Sequence, residues 1–302
     1  MGMKAVTKVI FCDEQGEKFF GEGPCRLLHA VEETGSLRAA AFSMGMAYSK
    51  ALKLLKNAEK ELGFALTERT AGGKDGGGSR LTPEGKVWLR KYEAYRDACA
   101  AENQRLFRHF FPRTGCVIMA SGLGKRFGGN KLMADFGGEP MLCRVLAATE
   151  DLFDRRVVVT RHEEVAQLCR EKGVEVVLHG RPHRSDTVRL GLEAVGDVEG
   201  CMFCPGDQPL LRRETVALLL ENWKQAREQI VRPFFGEIQG SPVLFPRWAF
   251  PELKDLPEGK GGGYLIRKYP DAVLPVPVRD PFELADADTP EILETLKGLC
   301  HD

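Results

Sequence analysis

From Cys116 onward the chain alternates short apolar runs with helical stretches, and this rhythm limits the possible folds more than any other feature of the sequence. Cys116–Ala120, Val157–Thr160, Val174–Leu178 and Cys201–Cys204 read as strands. Met141–Ala148, Glu163–Lys172, Thr187–Val195 and Glu214–Gln229 read as helices. Strands separated by helical crossovers are the βαβ signature, so residues 113–302 are predicted to form an α/β domain with a doubly wound, mostly parallel sheet.

The first predicted strand runs into Ser121-Gly122-Leu123-Gly124-Lys125-Arg126-Phe127-Gly128-Gly129-Asn130-Lys131. Small residues between a strand and a helix let backbone N–H groups approach phosphate oxygens, and cationic side chains there neutralise the charge. The loop is not a Walker A sequence, because no G-K-[S/T] closes it. Nor is it the dinucleotide G-x-G-x-x-G, because Arg126 and Lys131 interrupt the glycines.

With Ala120, this segment resembles the L-A-A-G-x-S-x-R-M-G-x-x-K signature of nucleotidyltransferases of the molybdenum cofactor family. Gly122, Arg126, Gly128 and Lys131 stand on its Gly, Arg, Gly and Lys. Ser121, Gly124 and Phe127 depart from it while keeping the loop compact. The resemblance implies a Rossmann-like nucleotidyltransferase fold. It also implies nucleotide binding by Ala120, Ser121, Gly122, Leu123, Gly124, Arg126 and Lys131, with in-line attack on the α-phosphate of a nucleoside triphosphate.

Four further segments carry the same resemblance. Arg184-Ser185-Asp186-Thr187-Val188-Arg189-Leu190-Gly191-Leu192 is similar to a stretch that seats the nucleotide, which implicates Ser185, Asp186 and Arg189. A capped helix N-terminus is the other reading of it. Pro205-Gly206-Asp207-Gln208-Pro209 places a carboxylate after a strand, and the resemblance makes Asp207 a Mg²⁺ ligand, in keeping with the hard cation a triphosphate needs. Gly240-Ser241-Pro242 resembles the segment whose backbone lies beside the substrate. Serine at 241 fits a subgroup associated with accessory proteins of molybdenum hydroxylases. Asp286-Ala287-Asp288-Thr289-Pro290 supplies a second carboxylate, Asp286 or Asp288, although Asp288-Thr289-Pro290 is also a good helix start. Gly259-Lys260-Gly261-Gly262-Gly263-Tyr264 departs from G-D-x-G-x-R, with the Asp lost and Gly263 at the Arg position. Arg126, Lys131 and Asp207 are the expected catalytic residues.

Guanylyl-transferring relatives carry L-A-G-G and one more residue between Arg and Lys. Ser121 and the shorter spacing to Lys131 favour CTP here. The resemblance supplies molybdopterin or molybdenum cofactor as the acceptor.

The first 112 residues have a different organisation. Lys8 to Phe20 alternates around Asp13-Glu14-Gln15-Gly16 as a β-hairpin. Helices are predicted over Pro24–Glu33, from the Ser36 cap to Met44, and over Met46–Leu62. A strand at Phe64–Glu68, a glycine-rich loop, Arg80-Leu81-Thr82 and a helix from Pro83 to about Arg108 complete the order of an α+β winged helix-turn-helix. Phe111-Pro112-Arg113-Thr114 reads as a linker. Gly45-Met46-Ala47-Tyr48-Ser49-Lys50 and Arg69-Thr70-Ala71-Gly72-Gly73-Lys74 resemble the DNA-binding domain of molybdate-responsive transcription regulators. Tyr48, Ser49, Lys50 and Lys53 then start a recognition helix, with Lys74 and Arg80 on the wing. Docking to protein is the other use of such a fold, and a homodimer is implied by analogy.

Net charge is zero, but residues 1–112 hold 18 Lys/Arg against 14 Asp/Glu, and the remainder 25 against 29. The basic first part suits an anionic polymer. The nine cysteines are scattered and odd in number, so they form no disulfide framework. Cys201 and Cys204 form a C-x-x-C without a second pair at zinc spacing and read as small strand residues. No apolar run spans a bilayer and the start lacks the apolar core of a signal peptide, which predicts a cytoplasmic protein without membrane contact. Three functions fit: a cytidylyltransferase for molybdopterin, a regulator sensing nucleotide or cofactor without turnover, and an accessory protein of a molybdenum hydroxylase.

Overall fold

The computed structural model describes residues 3–70, 78–122, 124 and 126–299. The chain divides into two compact units, Met1–Phe110 and Phe111–Asp302.

In the first unit, β1 (Phe11–Cys12) and β2 (Lys18–Phe20) form an antiparallel hairpin. Its turn is closed by the Asp13 carboxylate, which accepts the amides of Gln15 and Glu17. Then come α1 (Glu22–Thr34), α2 (Leu37–Ser43) and α3 (Tyr48–Leu62). Ser36 caps α2 by accepting the Ala39 amide at 3.4 Å. Gly45, at φ +63°, makes the turn into α3. Ala51, Leu55 and Ala58 form the buried stripe of α3, at helical spacing, against Leu27, Leu28 and Val31 of α1. Ser49, Lys50, Lys53 and Lys56 are left exposed on the other face.

β3 (Thr67–Thr70) and β4 (Gly78–Leu81) pair antiparallel as the wing, and α4 (Pro83–Phe110) follows. The strand begins later than the predicted Phe64. The Glu59 carboxylate accepts the amides of Leu66 at 2.9 Å and Thr67 at 3.3 Å, so this stretch first closes the end of α3. The tip of the wing, with Lys74, lies outside the described residues.

The second unit contains β5 (Thr114–Ala120), α5 (Leu142–Ala148), β6 (Arg155–Thr160), α6 (Glu163–Glu171), β7 (Glu175–Leu178), α7 (Arg184–Val195) and β8 (Gly200–Pro205). It continues with α8 (Arg213–Gln225), β9 (Ile230–Phe235), β10 (Ile238–Gln239), β11 (Val243–Pro246), α9 (Phe250–Lys254), α10 (Gly263–Lys268), β12 (Val273–Pro277) and α11 (Pro290–Gly298). The strand order is β10-β9-β11-β8-β5-β6-β7, with β12 parallel to β9. The segment β8-β5-β6-β7 is parallel, and β11 runs antiparallel to both β8 and β9.

Alternate residues of β5 serve opposite faces of the sheet. Cys116 and Ile118 pack with α5, α6, α8 and α11, whereas Val117 packs with α7, α9 and α10. From β5 the chain moves outward through β6 and β7, then returns to lay β8 on the other side of β5. The carboxyl ends of β5 and β8 therefore flank a topological switch point, where an open α/β sheet leaves a crevice for ligand.

Cys116, Cys201 and Cys204 are fully buried free thiols, with Cys116 and Cys204 sulfurs 3.7 Å apart. Burial pushes Cys201 up, and its contact with Cys116 together with burial does the same for Cys204. The C-x-x-C is thus part of the sheet core. Among the described residues, no helix is long and apolar enough to cross a membrane.

Candidate active site

A cavity of about 570 Å³ opens at the switch point. Ser121, Gly122, Gly124, Arg126 and Lys131 of the glycine-rich loop line it together with Asp207, Ser241, Asp286 and Asp288.

The loop after β5 is shaped by Gly124 at φ +57°, whose carbonyl accepts the amides of Phe127 and Gly128. A Cβ at position 124 would lie 2.2 Å from the Gly129 oxygen, so only glycine fits this turn. The carbonyls of the loop are held from the end of β6. Thr160 Oγ1 donates to Ala120 O, Arg161 donates twice to Ser121 O, and His162 lies 2.8 Å from Gly122 O. A trans peptide points its N–H opposite to its C=O, so the amides of Gly122 and Ser121 turn away from β6. His179 Nδ1 accepts the Arg181 amide, which leaves the proton on Nε2 to donate to Ser121 Oγ at 2.9 Å. Ser121 in turn donates to Val159 O. Burial, then Arg161, hold His179 below the usual imidazole range, so the ring is neutral at pH 7.

Asn130 caps a single helical turn, Lys131–Met133, by accepting the Leu132 amide. The turn buries Lys131 and directs its ammonium between two carboxylates. It pairs with Asp207 and, at 2.9 Å, with Asp288. Burial pulls Lys131 down, but Asp207 and Asp288 outweigh it, and the net direction is up. Asp288 also receives Arg126 at 2.7 Å, and its cationic partners hold it below the usual carboxylate range, Lys131 most strongly. A backbone bond from Ala287 N to Asp207 O at 2.9 Å joins the two acidic segments.

Asp286 receives Gln208 Nε2 at 3.0 Å. The residue is exposed along one edge, yet desolvation of its carboxyl, then Asp207, push it up to about 6. Gln208 is buried and its Oε1 has no protein partner among the described residues. Asp207, Asp286 and Asp288 all line the cavity, and carboxylate oxygens are the hard donors that Mg²⁺ takes, one or two at a time beside phosphate oxygens.

Asp286 also predicts a pH dependence. Its folded value lies above the ordinary carboxyl value, so its contribution to stability is present at low pH and is lost as pH rises through about 6. Asp286→Asn removes that loss. Without divalent metal, the variant's stability is expected to match the wild type near pH 4 and exceed it at pH 7.5 by about 1 kcal/mol, a figure reduced for solvent screening. Urea midpoints at the two pH values measure this, and equal differences at both would refute it.

Other predicted residues lie off the cavity. Ser185 and Asp186 are buried in the first turn of α7, where the Asp186 carboxylate accepts the His183 amide. Arg189 donates to Lys254 O at 3.1 Å. Helical phase accounts for this placement: α7 starts at Arg184, and Arg184 and Thr187, three residues apart, line the cavity. Of Gly240, Ser241 and Pro242 only Ser241 lines the cavity, and Gly240 is pressed against the Leu284 side chain. Ala120 ends β5 behind the wall, and Leu123 lies outside the described residues. Arg161 and His183 also line the cavity, and no local sequence pattern marks them.

A smaller recess of about 50 Å³ shares Met119, Arg184 and Ser241 with the main cavity. Val188, Phe203, Val243, Phe245, Leu253, Gly262 and Gly263 complete its wall. The departing glycine stretch therefore has a structural setting. Gly262 lies on the Phe245 ring, where a Cβ would come within 2.6 Å.

In the first unit, Tyr48, Ser49, Lys50 and Lys53 occupy the exposed first turns of α3, with Arg38 over the Tyr48 ring at 5.6 Å. Arg80 is paired across the wing with Glu68 at 2.8 Å.

A glycine-rich loop with two cations, paired with carboxylates at the switch point of a doubly wound sheet, defines a nucleotide-handling α/β domain. The sequence matches the MobA-like NTP transferase domain family over residues 116–273, and the chain belongs to that family. Residues 25–86 match the bacterial regulatory helix-turn-helix protein family of LysR type. The 3-deoxy-manno-octulosonate cytidylyltransferase of Chlorobium phaeobacteroides is 34% identical over 134 residues, 42% of this chain and 49% of that protein. The chain thus spans about half the length of that relative. The molybdenum transport protein ModE of Herbaspirillum seropedicae is 47% identical over 57 residues, 19% of this chain and 21% of that protein. Among solved structures, a Mycobacterium sp. strain JC1 homologue of a Mycobacterium tuberculosis protein matches with TM-score 0.54 and 25% identity, over 62% of this chain and 96% of that one.

Proposed function

We propose that the second unit transfers CMP from CTP to the terminal phosphate of molybdopterin or molybdenum cofactor, releasing pyrophosphate, while the first unit binds DNA. The observation that carries the reading is Lys131, held between Asp207 and Asp288 on the cavity wall with Arg126 beside it.

Arg126, Lys131 and the amides of Ser121 and Gly122 hold the triphosphate. In the free site both cations are occupied by carboxylates, and phosphate oxygens exchange for them. Asp207 with Asp286 or Asp288 would hold Mg²⁺, which when bound neutralises charge developing at the α-phosphate. An acceptor phosphate oxygen attacks the α-phosphorus. The new P–O bond forms as the bond to the bridging oxygen breaks, and pyrophosphate leaves with that electron pair. Positioning and electrostatics suffice, with no covalent nucleophile.

CTP is supported by the cytidylyltransferase relatives and by Ser121, fixed by Val159 and His179 where a guanine-selective loop keeps glycine. Arg184, shared by the cavity and the adjoining recess, suits an acceptor bearing a phosphate. A cytoplasmic location, a homodimer and service to a molybdenum hydroxylase belong to the same proposal. Pyrophosphate release with molybdopterin and CTP, GTP or ATP in turn tests it. Selective release with CTP supports the reading, and silence with all three from folded protein overturns catalysis in favour of a sensing regulator.

The exposed basic start of α3 supports DNA binding. Replacing Lys50 and Lys53 together by alanine is expected to lower the slope of log affinity against log salt on duplex DNA by about 2, roughly one for each phosphate left without its lysine. An unchanged slope, read by fluorescence anisotropy, would favour docking to protein.

A further inference from the structure

A second cluster of ligating groups lies in the first unit, apart from the nucleotide cavity. The Cys25 sulfur, a His29 ring nitrogen and a Glu93 carboxylate oxygen all lie within 4.8 Å of one another. Cys25 and His29 stand one turn apart on α1, and Glu93 reaches them from α4. His29 Nε2 and Glu93 Oε1 are 2.7 Å apart. From these positions we infer that Cys25, His29 and Glu93 form a binding site for a borderline-soft divalent cation, with Zn²⁺ the best match.

The donor set points to that class of ion. A thiolate and an imidazole select against Mg²⁺ and Ca²⁺, and sulfur, nitrogen and carboxylate donors together suit tetrahedral Zn²⁺. Zinc bonds of about 2.0–2.3 Å place tetrahedral ligand atoms roughly 3.3–3.8 Å apart. The cluster needs only small side-chain adjustments: His29 and Glu93 separate around the ion while the sulfur moves in. His29 and Glu93 are partly exposed and Cys25 is buried, so an ion can enter from solvent and bind sulfur on its inner side. Binding displaces the thiol proton to solvent. Thiolate and carboxylate then balance the ion's two charges. The fourth position falls to water or to Glu22, which shares this face of α1 and now pairs with Arg96 at 3.5 Å. An ion there would tie the first helix of the unit to its last.

Titrating metal-free full-length protein with Co²⁺ tests the site. One equivalent is expected to give tetrahedral visible bands with a thiolate charge-transfer band, all displaced by Zn²⁺. Cys25→Ser should remove the charge-transfer band and weaken Zn²⁺ binding by more than about 100-fold, beyond the effect of losing an outer-sphere partner. His29→Gln, at a partly exposed position that tolerates the change, should also abolish the tetrahedral spectrum. Asp207→Asn should leave it intact, because the carboxylates of the nucleotide cavity give no sulfur band. Absence of the band from folded wild-type protein, or its survival in Cys25→Ser or His29→Gln, would overturn the assignment.

Discussion

Asp207→Asn is expected to lower pyrophosphate release by roughly 10³-fold while CTP still binds within a few-fold of wild type. The substitution preserves size and the backbone bond from Ala287 to Asp207 O, so the acidic wall keeps its shape. Lys131 keeps its partner Asp288 at 2.9 Å, and the Arg126 contact is untouched. What disappears is one negative charge, where a hard cation would sit against the triphosphate. That charge acts mainly as the transition state gains charge, so kcat falls far more than affinity. Single-turnover pyrophosphate release and calorimetric CTP binding separate the two effects. A variant within threefold of wild type in turnover would remove Asp207 from the chemistry. Weakened CTP binding with turnover at saturation unchanged would make it a ground-state contact only.

The placement of Asp207 was legible in the sequence, because a carboxylate following an apolar strand falls at a parallel sheet's carboxyl edge whatever the surrounding detail. Lys131 was equally legible as a loop cation, but its pairing with Asp288 joins positions far apart in sequence, which local pattern does not encode. The α7 residues differ for another reason. A motif identifies a stretch, but helical phase decides which side chains face the cavity, and phase depends on the first residue of the helix. The apolar pattern predicts that start at Thr187, whereas the helix begins at Arg184. His179, Arg161 and His162 carry no sequence signal because their role is to hold Ser121 and Gly122, by contacts that exist only once β6 and β7 lie beside β5. The antiparallel insertion of β11 between β8 and β9 was hidden likewise, since a fully buried four-residue strand has no alternation to distinguish its direction.

Lys131→Met tests the exchange of partners at the centre of the proposed mechanism. Methionine fills the aliphatic path of the lysine but supplies no charge, so Asp207 and Asp288 are left facing one another across a partly enclosed wall. Removing one member of a buried pair costs about 3–5 kcal/mol, and the exposure of Asp288 here reduces the expected loss to about 2 kcal/mol in EDTA. Millimolar Mg²⁺ should restore much of that stability by supplying the missing positive charge, whereas wild-type protein, whose lysine already bridges both groups, should gain less. Turnover behaves differently. Mg²⁺ cannot replace a cation that must contact the triphosphate alongside it, so pyrophosphate release should remain roughly 10²–10³-fold down at any Mg²⁺ concentration. Denaturant midpoints with and without Mg²⁺, beside steady-state rates, give both readouts from one preparation. Stability that ignores Mg²⁺ would show that the carboxylates do not hold the ion, and turnover restored by Mg²⁺ would show that Lys131 serves only to keep them apart.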